Sequence, residues 1–237
     1  MIHNVASRAS DALQQVSGFD VEDLCVDVFY WFDKSTKRKG VLKEFCAFCD
    51  STYHEVVRYV SVRWLSLETA VYRILELYVS LQSYFKSENE SQARFCRLSA
   101  AFEDPMTEVY LLFYESVLPT FTHINLLLLR EDPNIYLVAD AIRSFLRKFL
   151  SRFLTFHAIK SVDDITLVDF QDETNHVDDS KVTVGFVTKQ QLEKLLVDGD
   201  ICAADQLKFY KGVRAFCVKG ASEALQKLPF HDGVLTD

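Results

Sequence analysis

Few side chains in this 237-residue chain stand at spacings that do chemistry. Cys46, Cys49 and His54 follow the Cys-x2-Cys-x4-His rhythm of a zinc knuckle, but the fourth ligand position is Tyr59. Three ligands without a fourth make a poor structural zinc site. The remaining histidines form no His-Glu-x-x-His motif, and no glycine-rich loop stands ready to cradle a phosphate. Seven acidic residues crowd between Asp163 and Asp179, without the Asp/Gly rhythm of a calcium loop. We therefore expect no metal site and no cofactor. Two basic groups stand out instead: Lys34, Lys37, Arg38, Lys39 and Lys43 in one stretch, and Arg143, Arg147, Lys148 and Arg152 in another. Each is either a solvated helix face or a surface for a DNA backbone, and the first is also a weak nuclear-import patch.

The elements that must carry these residues are mostly helices. Apolar residues make up 49% of the chain and aromatics 13%, with 19 Phe and 10 Tyr, which excludes wholesale disorder. Seven Gly and four Pro leave little punctuation for a many-stranded fold. With 26 basic and 34 acidic residues the net charge is −8, so any DNA contact must come from local patches. The start, Met1-Ile2-His3-Asn4, lacks the pattern of a signal peptide. The longest uncharged run, 116–129, has 14 residues, short of the about 20 that a membrane span needs. The six cysteines, Cys25, Cys46, Cys49, Cys96, Cys202 and Cys217, read as reduced core thiols of an intracellular protein.

Along the chain, helices are expected over 4–16, stopped by Gly18, over 21–33 behind an Asp20 cap, and through Leu42 to Cys49. Glu55 to Val62 reads as a strand, ending at Arg63-Trp64. One long helix then follows from Ser66 through Phe85, and another over 91–102. Asp104-Pro105 opens a helix to Leu129 with a kink or break at Pro119; Asp132-Pro133 opens the next, through Phe153. Residues 160–187 read as a solvated, loop-rich acidic link with β-like pieces at Ile165–Val168 and Val182–Val187. Thr188 caps a short helix ending near Gly199, and Asp200 opens the last long one.

Three phrases carry a resemblance: Gly18-Phe19-Asp20-Val21-Glu22-Asp23, then 32–39 (Phe-Asp-Lys-Ser-Thr-Lys-Arg-Lys), then 60–66 (Val-Ser-Val-Arg-Trp-Leu-Ser), with Glu103-Asp104-Pro105 downstream. In this order, from about Phe19 to Phe153, the chain resembles the middle of a hAT-superfamily (hobo/Activator/Tam3) transposase, and more narrowly the domesticated proteins derived from such transposases. The resemblance implies a mainly α, multi-helical chain with an incomplete RNase H-like remnant and a few short strands. Its expected divisions are a core remnant over 1–62, helical insertion domain over 63–160, an acidic link over 161–187 and C-terminal helices of the insertion domain over 188–237.

The family's reaction needs three carboxylates holding two divalent metals. The resemblance places two of them before the matched region and one after the insertion. The chain starts too late for the first two, and nothing before Asp237 matches the third. His3-Asn4 resembles a family His-Asn, but the Cys/His motif upstream of it is missing, so no catalytic role passes to His3. The expectation is no enzyme activity and no small-molecule substrate, but a nuclear protein-interaction module with a protein partner or its own copies. DNA contact is the alternative. There Trp64 would stack on an unpaired base, as the family's equivalent does, or else anchor the core. Lys37, Arg38, Lys39, Arg143, Arg147 and Lys148 would meet phosphates, and Arg63 would meet a phosphate or else cap nearby carbonyls.

Overall fold

A computed structural model describes residues 2–60, 65–129 and 135–230. Eleven α-helices occur among them: α1 Ile2–Ser17, α2 Val21–Phe32, α3 Thr36–Phe48, α4 Leu65–Glu76, α5 Tyr78–Ser87, α6 Ala93–Glu103, α7 Met106–Leu128, α8 Ile135–Leu150, α9 Phe156–Lys160, α10 Phe186–Asp198 and α11 Ala203–Lys227. The mainly helical class is as the sequence indicates. The ends are written in local chemistry. Asp20 and Ser35 accept the Asp23 and Arg38 amides at the starts of α2 and α3. Gly18 and Gly199 take positive φ where α1 and α10 stop.

The expected short strands are absent among the described residues. Glu55 to Val60 forms no ladder; Ser61 and Val62, like Arg63, Trp64 and the Asp132-Pro133 opening, lie outside the described residues. A strand is held by a neighbour's backbone, and this segment is held by side chains instead. Tyr59 donates to Glu22 Oε2 at 2.7 Å, Arg73 donates to the Glu55 carbonyl at 2.8 Å, and Val60 N–H donates to Ser66 Oγ at 3.0 Å. Residues 165–168 instead open with a 3₁₀ turn, and Val182 and Val184 are apolar plugs; one isolated antiparallel bridge pairs Leu154 with His176. The long helix expected from Ser66 divides at Leu77 into α4 and α5. The offset is small, since Leu77 still donates to Arg73 and accepts from Leu81. Helix α7 runs unbroken through Pro119. It is long and apolar enough to cross a membrane by length and composition; 39% of its most apolar stretch is buried within the protein, including Phe113, Tyr114, Val117 and Phe121.

The chain divides into two compact units, each built from separate stretches. The first comprises 1–18, 119–185 and 203–237. Its centre is the antiparallel pair α1 and α11: Leu13 and Ser17 face Gly212, and Ala9 faces Gly220. A Cβ built on Gly220 would stand 2.7 Å from Phe149 Cζ, so the bare glycine lets α8 reach the pair. Phe121, Phe145, Phe149 and Phe216 close the core, with Phe121 and Phe149 edge to face at 5.4 Å. Glu223 of α11, almost buried, accepts from Lys219 at 2.8 Å and Lys227 at 2.6 Å, and these partners pull its carboxyl down to about 2.

The second unit comprises 19–118 and 186–202. Its core is aromatic: Trp31, Phe32, Tyr84, Phe85 and Phe102 are each at most 1% exposed. Trp31 Nε1–H donates to the Tyr84 hydroxyl at 3.2 Å, and Phe85 stacks on Phe102 at 5.1 Å. Burial pushes the Tyr84 and Tyr78 hydroxyls up, holding both protonated.

The two α11 glycines should respond oppositely to alanine. Around Gly212 the neighbours lie 3.6 Å or more from an added Cβ, ordinary contact, so Gly212→Ala gains helix propensity, up to about 1 kcal/mol. Gly220→Ala forces the buried Phe149 ring aside and should lose about 1–3 kcal/mol. Urea unfolding followed by circular dichroism checks both signs.

Candidate functional site

The residues picked from sequence fall into unlike settings. Arg63 and Trp64 lie outside the described residues. Arg38 is a structural residue: its guanidinium lies 3.4 Å from the Trp31 ring centre, donates to the Trp31 carbonyl at 3.2 Å and pairs with Glu90 at 3.0 Å. Lys39 reaches Glu55 at 3.4 Å, and Lys37 is exposed. All three belong to the second unit. Arg143, Arg147 and Lys148 belong to the first, on α8. Arg147 and Lys148 are exposed in its last turn, where cations also suit the negative end of the helix dipole. None of these three has an ion-pair partner among the described residues. Cys46 is buried and Cys49 Sγ lies 3.6 Å from Ser83 Oγ.

The acidic stretch is a packed strap rather than a solvated link. Ile165, Val168, Phe170, Val182 and Val184 are buried. Its carboxylates serve as turn caps: Asp164 accepts from Thr166 N–H, Asp169 from Gln171 and Asp172, and Asp172 from Thr174. The Thr174 amide and hydroxyl hold the Asp172 carboxyl below its usual range. Three backbone bonds pin the strap to the end of α8 and the residues after it: Thr155 N–H to Asn175, Val177 N–H to Phe153 and Thr183 N–H to Arg152.

Between this strap and α11 lies an open cleft of about 850 Å³, in the size range of ligand sites. Leu207, Ala215 and Val218 of α11 give it an apolar floor, with Val177 opposite. Its central charge, Arg214, is bonded internally on one edge only, its buried Nη1 having no hydrogen-bond partner among the described residues. Arg214 donates Nε and Nη2 to Asp179 Oδ1, at 3.1 and 2.7 Å, and Nη2 also to the Val177 carbonyl. His176 Nε2–H donates to the Phe170 carbonyl at 2.9 Å while its ring meets Phe153 edge-on. Behind Arg214, burial pushes the Cys217 thiol up to about 12, leaving it an unreactive neutral group. Glu173 and Lys211 remain exposed at the rim. Among the described residues no three His, Cys, Asp or Glu side chains group as metal ligands. The arrangement can hold an amphipathic segment; it presents no nucleophile with an adjacent base.

A second cluster escaped sequence reading. On the second unit, Arg94 and Arg97 of α6 grip Asp27 of α2, and Arg94 and Arg58 both reach Tyr30. The contacts span 28 to 70 residues. The one sequence signal is the recurrence of Asp20, Asp23, Asp27 and Tyr30 at three- and four-residue steps on α2.

Comparison with known proteins adds no neighbour: no family model, curated protein or solved structure matches the chain.

Arg214 is the only α11 side chain named here that ties the strap by charge. In Arg214→Ala, amide exchange over 171–181 should accelerate at least tenfold, while the α2 and α5 amides keep their wild-type rates. Unchanged exchange in the strap would remove the clasp from this description.

Proposed function

We propose that the chain is a catalytically inactive, hAT transposase-derived protein that acts in the nucleus as a protein-interaction module. In this reading residues 1–62 descend from an RNase H-like core and most of the rest from a helical insertion domain. The observation that carries the interaction role is the strap cleft: an apolar floor of Leu207, Ala215 and Val218 below a charged rim. An apolar floor with a polar rim is the pattern of a polypeptide interface. The partner is another protein or a second copy of the chain.

DNA contact remains the second reading, supported by one observation: Arg143, Arg147 and Lys148 stand together on α8 without ion-pair partners among the described residues. Contacts of this kind weaken steeply with salt.

In cells, full-length protein carrying a photo-crosslinking residue at position 207 should give a discrete adduct with one identifiable protein. The adduct should vanish in Val218→Asp and be absent when the crosslinker replaces the exposed Lys34. The purified chain should leave labelled hairpin DNA intact with Mg²⁺ or Mn²⁺. Equal adducts at 207 and 34 would contradict the cleft as the interaction surface, and metal-dependent cleavage would contradict the inactive assignment.

A further inference from the structure

The second unit carries a set of arginines whose orientation is fixed from behind. Asp27 is only 14% exposed and accepts Arg97 Nε at 2.8 Å, Arg97 Nη2 at 2.9 Å and Arg94 Nε at 2.9 Å. Arg94 holds its guanidinium carbon 5.6 Å from the Tyr30 ring centre. Arg58, from the irregular segment before α4, donates Nη2 to the Tyr30 hydroxyl at 3.4 Å. Tyr30 itself is 44% exposed. Both Nη groups of Arg94, Nη1 of Arg97, and Nε and Nη1 of Arg58 have no protein partner among the described residues. Three cations thus face Asp27, which takes the inner edges of two of them, and Asp23, whose charge also acts on Arg97.

We propose that this shelf binds a single phosphoryl group, presented by a phosphorylated side chain of a partner protein. Planar guanidinium forks match phosphoryl oxygens, and a phosphoryl group brings more negative charge and more acceptor oxygens to the free guanidinium donors than one carboxylate does. Acidic neighbours limit the ligand to one anion. Asp23 lies one turn before Asp27 on α2, close enough that its charge and that of Arg97 act on each other. A nucleic-acid strand crossing the shelf would run its next phosphates toward Asp23 and Asp20. A localised phosphoryl group avoids them. The shelf is open, so the rest of the affinity must come from the chain that carries the phosphate. The proposal shares with the interaction reading only the premise that the partner is a protein; it uses no residue of the strap cleft, so crosslinking at position 207 and the assay below fail independently.

The assay is fluorescence anisotropy of the full chain with a labelled Gly/Ala/Ser octapeptide bearing one phosphoserine. Controls are its unphosphorylated twin and an eight-residue thymidine oligonucleotide. The phosphopeptide should bind at least tenfold more tightly than the twin and be displaced by inorganic phosphate. Arg58→Ala removes only one long, exposed hydrogen bond and so leaves the fold intact; it should weaken phosphopeptide binding at least tenfold. Arg94→Lys, which keeps the charge but loses the fork, should also weaken it. Equal binding of the two peptides, or no effect of Arg58→Ala, overturns the site. Tighter binding of the oligonucleotide, lost in Arg58→Ala and falling steeply with salt, overturns the choice of ligand in favour of nucleic acid.

Discussion

The ring of Phe149 lies where a Cβ of residue 220 would otherwise be, and the first unit depends on that contact. It joins three stretches far apart in sequence: α1 at the start, α8 in the middle and α11 near the end. Small residues on the facing sides, Ala9 and Ser17 on α1 and Gly212 and Gly220 on α11, allow the two helices to approach closely. Close approach buries Val5, Leu13, Val213 and Phe216 completely. The same α11 offers its other side to the strap, through Arg214, and to the cleft, through Leu207 and Val218. The pairing therefore sets where the cleft can be.

In the second unit the organising residue is Trp31. Its ring takes Arg38 on one side and meets Phe85 and Phe95, while its N–H is satisfied by Tyr84. This explains why a basic residue inside the Lys34–Lys43 stretch is not part of a free basic patch: the guanidinium stacks on an aromatic, and its remaining donors serve Glu90 and a carbonyl. One residue earlier on α2, Tyr30 faces outward and meets Arg94 and Arg58. Adjacent aromatics on one helix thus hold the core and form a surface.

Much of the helical framework was legible in the sequence. The Asp20 cap, Gly18 and Gly199, and the periodic stripes of α2, α8 and α11 all act locally, within one or two turns. The strand expected over Glu55–Val62 does not form in its described part, Glu55–Val60, because β-branched and aromatic content describes a residue's preference, and a ladder needs a second strand, of which there is none among the described residues. The acidic strap was misread because Asp at a turn and Asp in solvent look alike in sequence; the difference lies in whether Ile165, Phe170 and Val184 find a core. The arginine shelf was missed for a geometric reason. Asp27 meets Arg94 and Arg97 across 67 and 70 residues, and only tertiary packing brings α6 alongside α2.

The most direct test of this account is hydrogen–deuterium exchange of the intact protein, read over α1 and α11 together. The account predicts that the amides of Val5 to Ser17 are protected to the same degree as those of Phe209 to Ala224, and that Gly220→Ala loosens both helices in step. Rapid exchange of α1 beside a protected α11, or loosening confined to one of them, would contradict the pairing on which the first unit and its cleft are built.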